Sequence, residues 1–217
     1  STVRHVLFGV VVPAVVMLAP ILLLGHPERL AHTAPWVLLL SSTILFLLQP
    51  ALPTQKDETV EKTDRGSAVA ILAGVSLAML GTVVQFAARA ELEPEPLSAW
   101  VFGGTALIAL GSGLRLWAIR TLGRFFTAQV QVKGDHQVIQ DGPYRHVRHP
   151  SYTGILLGFA GNSLLFHSWV GAVLTAVLVL PIYLYRIRIE EHALGTQLGD
   201  AYRRYQATTG ALVPRLF

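Results

Sequence analysis

SYTGILLGFAGNSLLFHSWVGAVLTAVLVLPIYLY, residues 151–185, decides the fold. Two apolar runs, 151–166 and 169–185, are separated only by His167 and Ser168. A gap that short forces the chain straight back on itself, so the runs form an antiparallel helical hairpin. Each arm lies near the lower limit of the about 20 apolar residues that cross a bilayer, which predicts tilt or partial burial in protein. Pro181 lacks a backbone donor and crowds the preceding turn, so the second arm is expected to kink.

Working outward, four more apolar segments precede the hairpin, at 6–24, 35–52, 68–90 and 99–119, followed by a polar stretch at 120–150. The whole chain is 52% hydrophobic and 14% charged; a soluble domain carries about a quarter charged residues. The predicted fold is therefore all-α, a polytopic integral-membrane bundle of about six spans with a C-terminal helical hairpin. It reads as a single membrane domain, 1–217. Arg4 ahead of the first run suits a signal peptide too, but that run is long enough to span and no small-residue cleavage site follows it. The tail 190–210 repeats Leu194, Leu198, Ala201, Tyr202 and Tyr205 at helical spacing with Asp200, Arg203 and Arg204 between, predicting an amphipathic helix on the membrane or docked on the protein. There is no cysteine, which removes disulfides, thiolate nucleophiles and Cys-based metal sites.

Six spans divide the cations unevenly. One side collects Arg4, Lys56, Lys62, Arg65, Arg115, Arg120, Arg124, Lys133, Arg145, Arg148, Arg186, Arg188, Arg203, Arg204 and Arg215, against Arg29 and Arg89 on the other, fifteen to two. Cytoplasmic loops are the Lys/Arg-rich ones. Both termini and the 120–150 stretch are therefore expected inside.

The polar residues gather in two places, QVQVKGDHQVIQDGPYRHVRHPSY at 129–152 and RIRIEEHALGTQLGDAYRRY at 186–205. The first four spans hold almost none, with Gln49 and Gln85 as minor exceptions. Alternating residues about Lys133-Gly134-Asp135 suggest a small hairpin or extended loop, and Asp141-Gly142-Pro143 a second turn. Pro150 suits the first position of the hairpin's first helix, whose free N–H groups favour a carboxylate. Arg186 and Glu190 are four apart on one helix face, placed to pair or to bracket a ligand. Because the hairpin doubles back, the start of its first arm and the end of its second meet at one membrane depth. Imidazole, guanidinium, phenol and carboxylate groups then share a single rim, suited to a polar small molecule beside a lipid.

Each element also has a plainer use. His136, His146 and His149 could hold a metal, but no carboxylate stands at ligand spacing and there is no HExxH. Arg145 and Arg148 could be positive-inside anchors. Glu190 and Glu191 could pair with Arg186 and Arg188 on a solvated face, and Tyr144 and Tyr152 could be interfacial belt residues. The joint pattern, not any one residue, favours a site.

At these residues the chain resembles the isoprenylcysteine carboxyl methyltransferases, whose wider relatives include phospholipid methyltransferases. The matched text is His136-x-Val138, GPYRHVRHPSYTG at 142–154, RxxxEExxL at 186–194, LGDAYRRY at 198–205 and TGALVP at 209–214, covering about 122–214. The resemblance implies that 1–121 shape a lipid-accessible entrance, that 122–217 form the catalytic part, and that S-adenosylmethionine binds in a cytoplasmic cofactor-binding loop and the hairpin, touching Gln131, His136, Gln137, Val138, Ile139, Tyr144, His149, Pro150, Ser151, Tyr152 and Glu190. It implies that Arg186, together with Arg148, orients a lipid-like or prenylated small acceptor from the bilayer. No metal or nucleic acid is expected, and no obligate protein partner is inferred. Methyl transfer from a sulfonium needs mainly alignment and exclusion of water. A carboxylate acceptor needs no base, and an arginine can clamp it through two parallel hydrogen bonds. Membrane sterol reductases, which use a nicotinamide cofactor, share a similar C-terminal architecture but carry Asn where this chain has His149. A transporter or scaffold would place charges at mid-membrane, and these spans are nearly uncharged.

Overall fold

The hairpin turns where the two apolar runs meet. In the computed structural model, which describes residues 2–48, 64, 66–89, 98–126 and 137–215 with side chains from residue 11 on, α5 (Pro150–Leu165) ends at Phe166 and His167 takes a left-handed φ of 49°. The next helix, α6, then runs through Trp169–Leu198. Ser168 caps it, its Oγ accepting from the N–H of Gly171 at 2.9 Å. Gln85 fixes the turn from outside: its side-chain oxygen accepts from Ser168 Oγ at 2.6 Å and from the N–H of Val170 at 3.0 Å. A polar side chain that looked incidental in the sequence thus joins an earlier span to the hairpin.

The other helices are α1 (Thr2–Leu23), α2 (Thr33–Leu48), α3 (Ser67–Ala88), α4 (Ala99–Leu122) and α7 (Asp200–Thr208). Helices thus stand on all six apolar segments. Of these, α3, α4 and α6 are each long and apolar enough to cross a membrane, while α1 and α2 contribute the shorter apolar stretches Val11–Leu23 and Thr33–Leu48. Exposed apolar side chains cover the outside, Val69, Leu72 and Leu110 among them; a hydrocarbon solvent leaves such residues where water would bury them. Toward the hairpin turn, Ile21, Leu38, Val83, Phe86, Ile108 and Phe166 pack one core across α1–α5. Toward the other end, Ala78, Val179 and Tyr183 form a second, against Tyr152 and Phe159.

Two expectations change. The second arm does not end near Tyr185. It passes through a π-helical turn at Thr175–Val179 and continues to Leu198. Pro181 explains the turn: its ring would collide with the carbonyl four residues back, at Val177, and the wider loop moves that carbonyl aside. The amphipathic tail is also two pieces. Residues 190–198 complete α6, Gly199 breaks the helix at φ 57° and ψ −132°, a conformation only glycine adopts readily, and α7 follows. Within α7, Tyr202 and Tyr205 are buried while Arg203 and Arg204 face out, so the helix docks on the protein. The turn predicted about Lys133-Gly134-Asp135 lies outside the described residues.

α4 and α5 touch backbone to backbone. A Cβ on Gly104 would fall 2.7 Å from the carbonyl of Gly161, and one on Gly154 would fall 2.5 Å from the carbonyl of Gly111. These glycines recur seven apart on each helix, so they lie along one face and let the axes close without side chains between them.

Candidate active site

The two polar clusters meet at the end of the bundle opposite the hairpin turn. The loop before α5 is shaped by Gly142, at φ 54°, where a Cβ would press on Thr121 and Trp117 of α4. This seats the turn Gly142–Arg145 and buries Tyr144. The phenol of Tyr205, on α7, donates to the carbonyl of Tyr144 at 2.6 Å. Residues after α7 close over the loop: the N–H of Arg148 donates to Gly210 at 2.9 Å and that of His149 to Ala211 at 3.0 Å. Pro150 then opens α5 as expected.

Two linked networks fill the rim. In the first, the phenol of Tyr152 donates to Glu190 Oε2 at 2.7 Å, and Arg186 Nε donates to the same phenol at 3.3 Å. Arg186 Nη1 donates to Ser67 Oγ at 2.8 Å and forms an ion pair with Asp64, ahead of α3. Arg186 and Asp64 are only 3% and 4% exposed at their side chains, so this is a buried pair. In the second, Glu191 Oε1 accepts from Arg148 Nε at 2.7 Å and lies 3.2 Å from His149 Nε2. Arg148 also donates to the carbonyls of Gln206 and Thr209. His149 is buried, and its ring stacks parallel on Tyr152 with centroids 5.4 Å apart. Behind them, Arg115 of α4 donates to Ser151 Oγ at 2.7 Å.

Burial, and then the charge of Glu190, hold the Tyr144 phenol well above its ordinary range, while burial first pushes Tyr205 up to about 12. Near neutral pH both are hydrogen-bond donors and not phenolates.

Of the residues singled out in the sequence, Tyr144, Arg148, His149, Pro150, Ser151, Tyr152, Arg186 and Glu190 come together. Gln137, Val138 and Ile139 lie on the extended approach to the Asp141 turn, Gln137 exposed and the other two half-buried. Gln131 and His136 fall outside the described residues. The two acidic neighbours separate: Glu190 accepts from Tyr152, whereas Glu191 joins Arg148 and His149, and Arg188 is exposed. Asp64, Ser67 and Arg115 were missed. For Asp64 a signal existed: an aspartate just before an apolar run is a helix-start residue, and its Oδ2 does accept from the N–H of Ala68 at 3.0 Å.

Fold and site together define a polytopic α-helical membrane protein with a charged, hydrogen-bonded cluster of side chains at one end. The profile of the Isoprenylcysteine carboxyl methyltransferase (ICMT) family matches residues 104–196. The chain is 33% identical to protein-S-isoprenylcysteine O-methyltransferase B of Arabidopsis thaliana over 64% of its length and 73% of the relative's. It is 32% identical to the A form from the same plant, over 68% and 77%. A solved structure of the eukaryotic intramembrane Ras methyltransferase ICMT (isoprenylcysteine carboxyl methyltransferase) superposes with a TM-score of 0.55, covering 93% of this chain and 73% of that one at 19% identity, a likeness of fold. The chain belongs to the isoprenylcysteine carboxyl methyltransferase family. It is an integral-membrane methyltransferase, of a family that uses S-adenosylmethionine. The profile starts inside α4, ahead of the motifs, in keeping with the glycine contact that binds α4 to α5.

Proposed function

We propose that this protein methylates the free carboxylate of a prenylated cysteine, with S-adenosylmethionine as donor. One observation carries the assignment: Arg186 and Glu190 sit one turn apart on α6, joined through the phenol of Tyr152. A group that recognises a carboxylate thereby stands next to one that recognises an ammonium. The donor set fits the cofactor. Glu190 is partly exposed, uses Oε2 on Tyr152, and among the described residues has no hydrogen-bond partner on Oε1. It would receive the cofactor's ammonium, with His149, Ser151 and Tyr152 beside it and Tyr144 behind, and with Gln131, His136, Gln137, Val138 and Ile139 supplying the loop. S-adenosylmethionine, when bound, supplies a methyl group on a positively charged sulfur.

Arg186 would orient the acceptor carboxylate through its N–H groups. It takes no proton, because a guanidinium stays charged and a carboxylate is already a nucleophile. Arg148 is held by Glu191 and two carbonyls, so its contribution is to tie the loop, α6 and the tail together. The sequence suggested a small acceptor. The Arabidopsis relatives are named for a protein-borne isoprenylcysteine, so the acceptor proposed is the prenylated C-terminus of a protein or peptide. A groove of about 670 Å³ between α5 and α6, from Trp100 and Trp169 to Leu156 and Leu180, gives the apolar flank a lipid chain requires and ends about one turn from Tyr152 and Tyr183.

The site is proposed to face the cytoplasm. Arg29 donates to the carbonyl of Arg89, and Arg89 to that of His167, so the two lone cations share the opposite end with the hairpin turn. The deciding assay offers the purified protein labelled S-adenosylmethionine with a farnesylated cysteine, as free acid and as amide. Methylation of the acid alone is expected; methylation of both, or of neither, removes the carboxylate assignment. Calorimetric titration with S-adenosylhomocysteine, against NADPH, separates this from a reductase.

A further inference from the structure

We propose that Asp64 is a positioning residue of this active site, fixing the Arg186 guanidinium for the acceptor carboxylate. The inference rests on the acceptor role of Arg186 proposed above. Arg186 lies on a long, freely rotating stem, and its planar fork is useful only when held in one plane. The structure holds it from three sides. Nη1 meets the Asp64 carboxylate and Ser67 Oγ, and Nε meets the phenol of Tyr152. Asp64 is itself held: Ser67 Oγ donates to Oδ1 at 3.1 Å and the N–H of Ala68 to Oδ2 at 3.0 Å. The anchor is therefore the N-terminal turn of α3, and the guanidinium is bolted to a helix of the first half while its own backbone belongs to α6.

Charge works the same way. A buried guanidinium without a counterion is strongly disfavoured, and Asp64 allows Arg186 to stay inside before an acceptor arrives. Displacing Asp64 would strand a buried carboxylate, so the acceptor adds to the pair and does not replace it. An acceptor then meets directed N–H groups more than net positive charge, which favours a planar carboxylate over anions of other shape. The network continues from Asp64 through Arg186 and Tyr152 to Glu190, so the approach to α3, one residue of α5 and two of α6 join the acceptor side to the cofactor side.

The test uses the full chain in lipid nanodiscs, with a farnesylated cysteine as acceptor and S-adenosylhomocysteine as the binding probe. Wild type is assayed first: absence of methyl transfer there overturns the acceptor assignment itself. In an active protein, Asp64→Asn is expected to lower kcat/KM for the acceptor by about tenfold or more while the S-adenosylhomocysteine Kd stays within about threefold. Asp64→Glu, which restores the charge, should recover part of the loss. Equal losses in cofactor affinity and turnover, tracking a lower Tm, would reduce Asp64 to a structural role and overturn the proposal. An acceptor KM below wild type would show competition in place of positioning, with the same consequence. Should Asp64→Asn fail to fold, Ser67→Ala removes a donor to Asp64 and an acceptor for Arg186, and unchanged kcat/KM in that variant overturns the proposal.

Discussion

Tyr152 and Glu190, thirty-eight positions apart in the chain, share a 2.7 Å hydrogen bond in which the phenol donates to the carboxylate. The bond fixes which way Glu190 faces, and so where an ammonium must sit to reach it. Glu190→Ala removes a charged acceptor worth about 1.5–3 kcal/mol and is expected to weaken S-adenosylhomocysteine binding about tenfold or more by calorimetry. Tyr152→Phe keeps the carboxylate but frees its orientation, and should cost less than Glu190→Ala. The opposite ranking would move the ammonium site away from Glu190.

Arg186→Lys tests the guanidinium itself. An ammonium is a point donor and cannot meet Ser67, Asp64 and Tyr152 from one plane. Turnover should fall about a hundredfold, near 2.7 kcal/mol, with S-adenosylhomocysteine affinity almost intact. If affinity falls in parallel with turnover, Arg186 serves Glu190 and not the acceptor.

The α4–α5 contact gives a matched pair of substitutions. A methyl on Gly154 meets the backbone of Gly111 and Arg115, whereas one on Gly158, a turn further on, meets nothing within 4 Å. Gly154→Ala should destabilise the protein by about 1–3 kcal/mol. Gly158→Ala should be neutral or stabilising by up to about 1 kcal/mol, since alanine restricts the unfolded chain. Thermal unfolding in one detergent compares them directly.

Sidedness is open to labelling. A cysteine introduced at Asp135 should resist a membrane-impermeant thiol reagent in intact cells, and one at Glu93 should react. No native cysteine competes. The reversed pattern would place the site on the outer face.

Alkaline stability should follow Tyr205. Its phenol is raised by burial from 10.0 to about 12. The unfolded chain releases that proton first, so the contribution is complete below pH 10, declines above it and is lost as pH passes the folded value. Tyr205→Phe should lower Tm at neutral pH, through loss of the bond to the Tyr144 carbonyl, yet flatten the fall in Tm between about pH 10 and 12. An equally steep fall in the variant would assign the alkaline loss to other groups.

The membrane fold was legible because hydrocarbon imposes a simple demand, long apolar runs, and the hairpin because only His167 and Ser168 interrupt one. The rim was legible through Tyr144, His149, Tyr152, Arg186 and Glu190, which share two short stretches that a hairpin must bring together. Asp64 was not, because its partner lies 122 positions away and nothing local distinguishes a capping aspartate from one that also holds an arginine. The length of α6 escaped because hydropathy stops at the membrane edge while helical hydrogen bonding does not; Gly199, not polarity, ends it. The partition of Glu190 and Glu191 between two networks depends on helix rotation, which spacing alone leaves undetermined across a π-helical turn.

The Gln85 contact bears on how the chain enters the bilayer. Segments are delivered in order, so α3 stands in the membrane before the hairpin exists. Until Ser168 and Val170 arrive, the side-chain oxygen of Gln85, one turn before Arg89 at the membrane edge, lacks both of the donors it later holds. The early helices therefore carry an unfilled socket for the turn that comes later, and the arriving hairpin has one preferred depth and one preferred neighbour. A chain truncated after the first four helices would leave that socket open, and it should be retained by chaperones or degraded sooner than the intact protein.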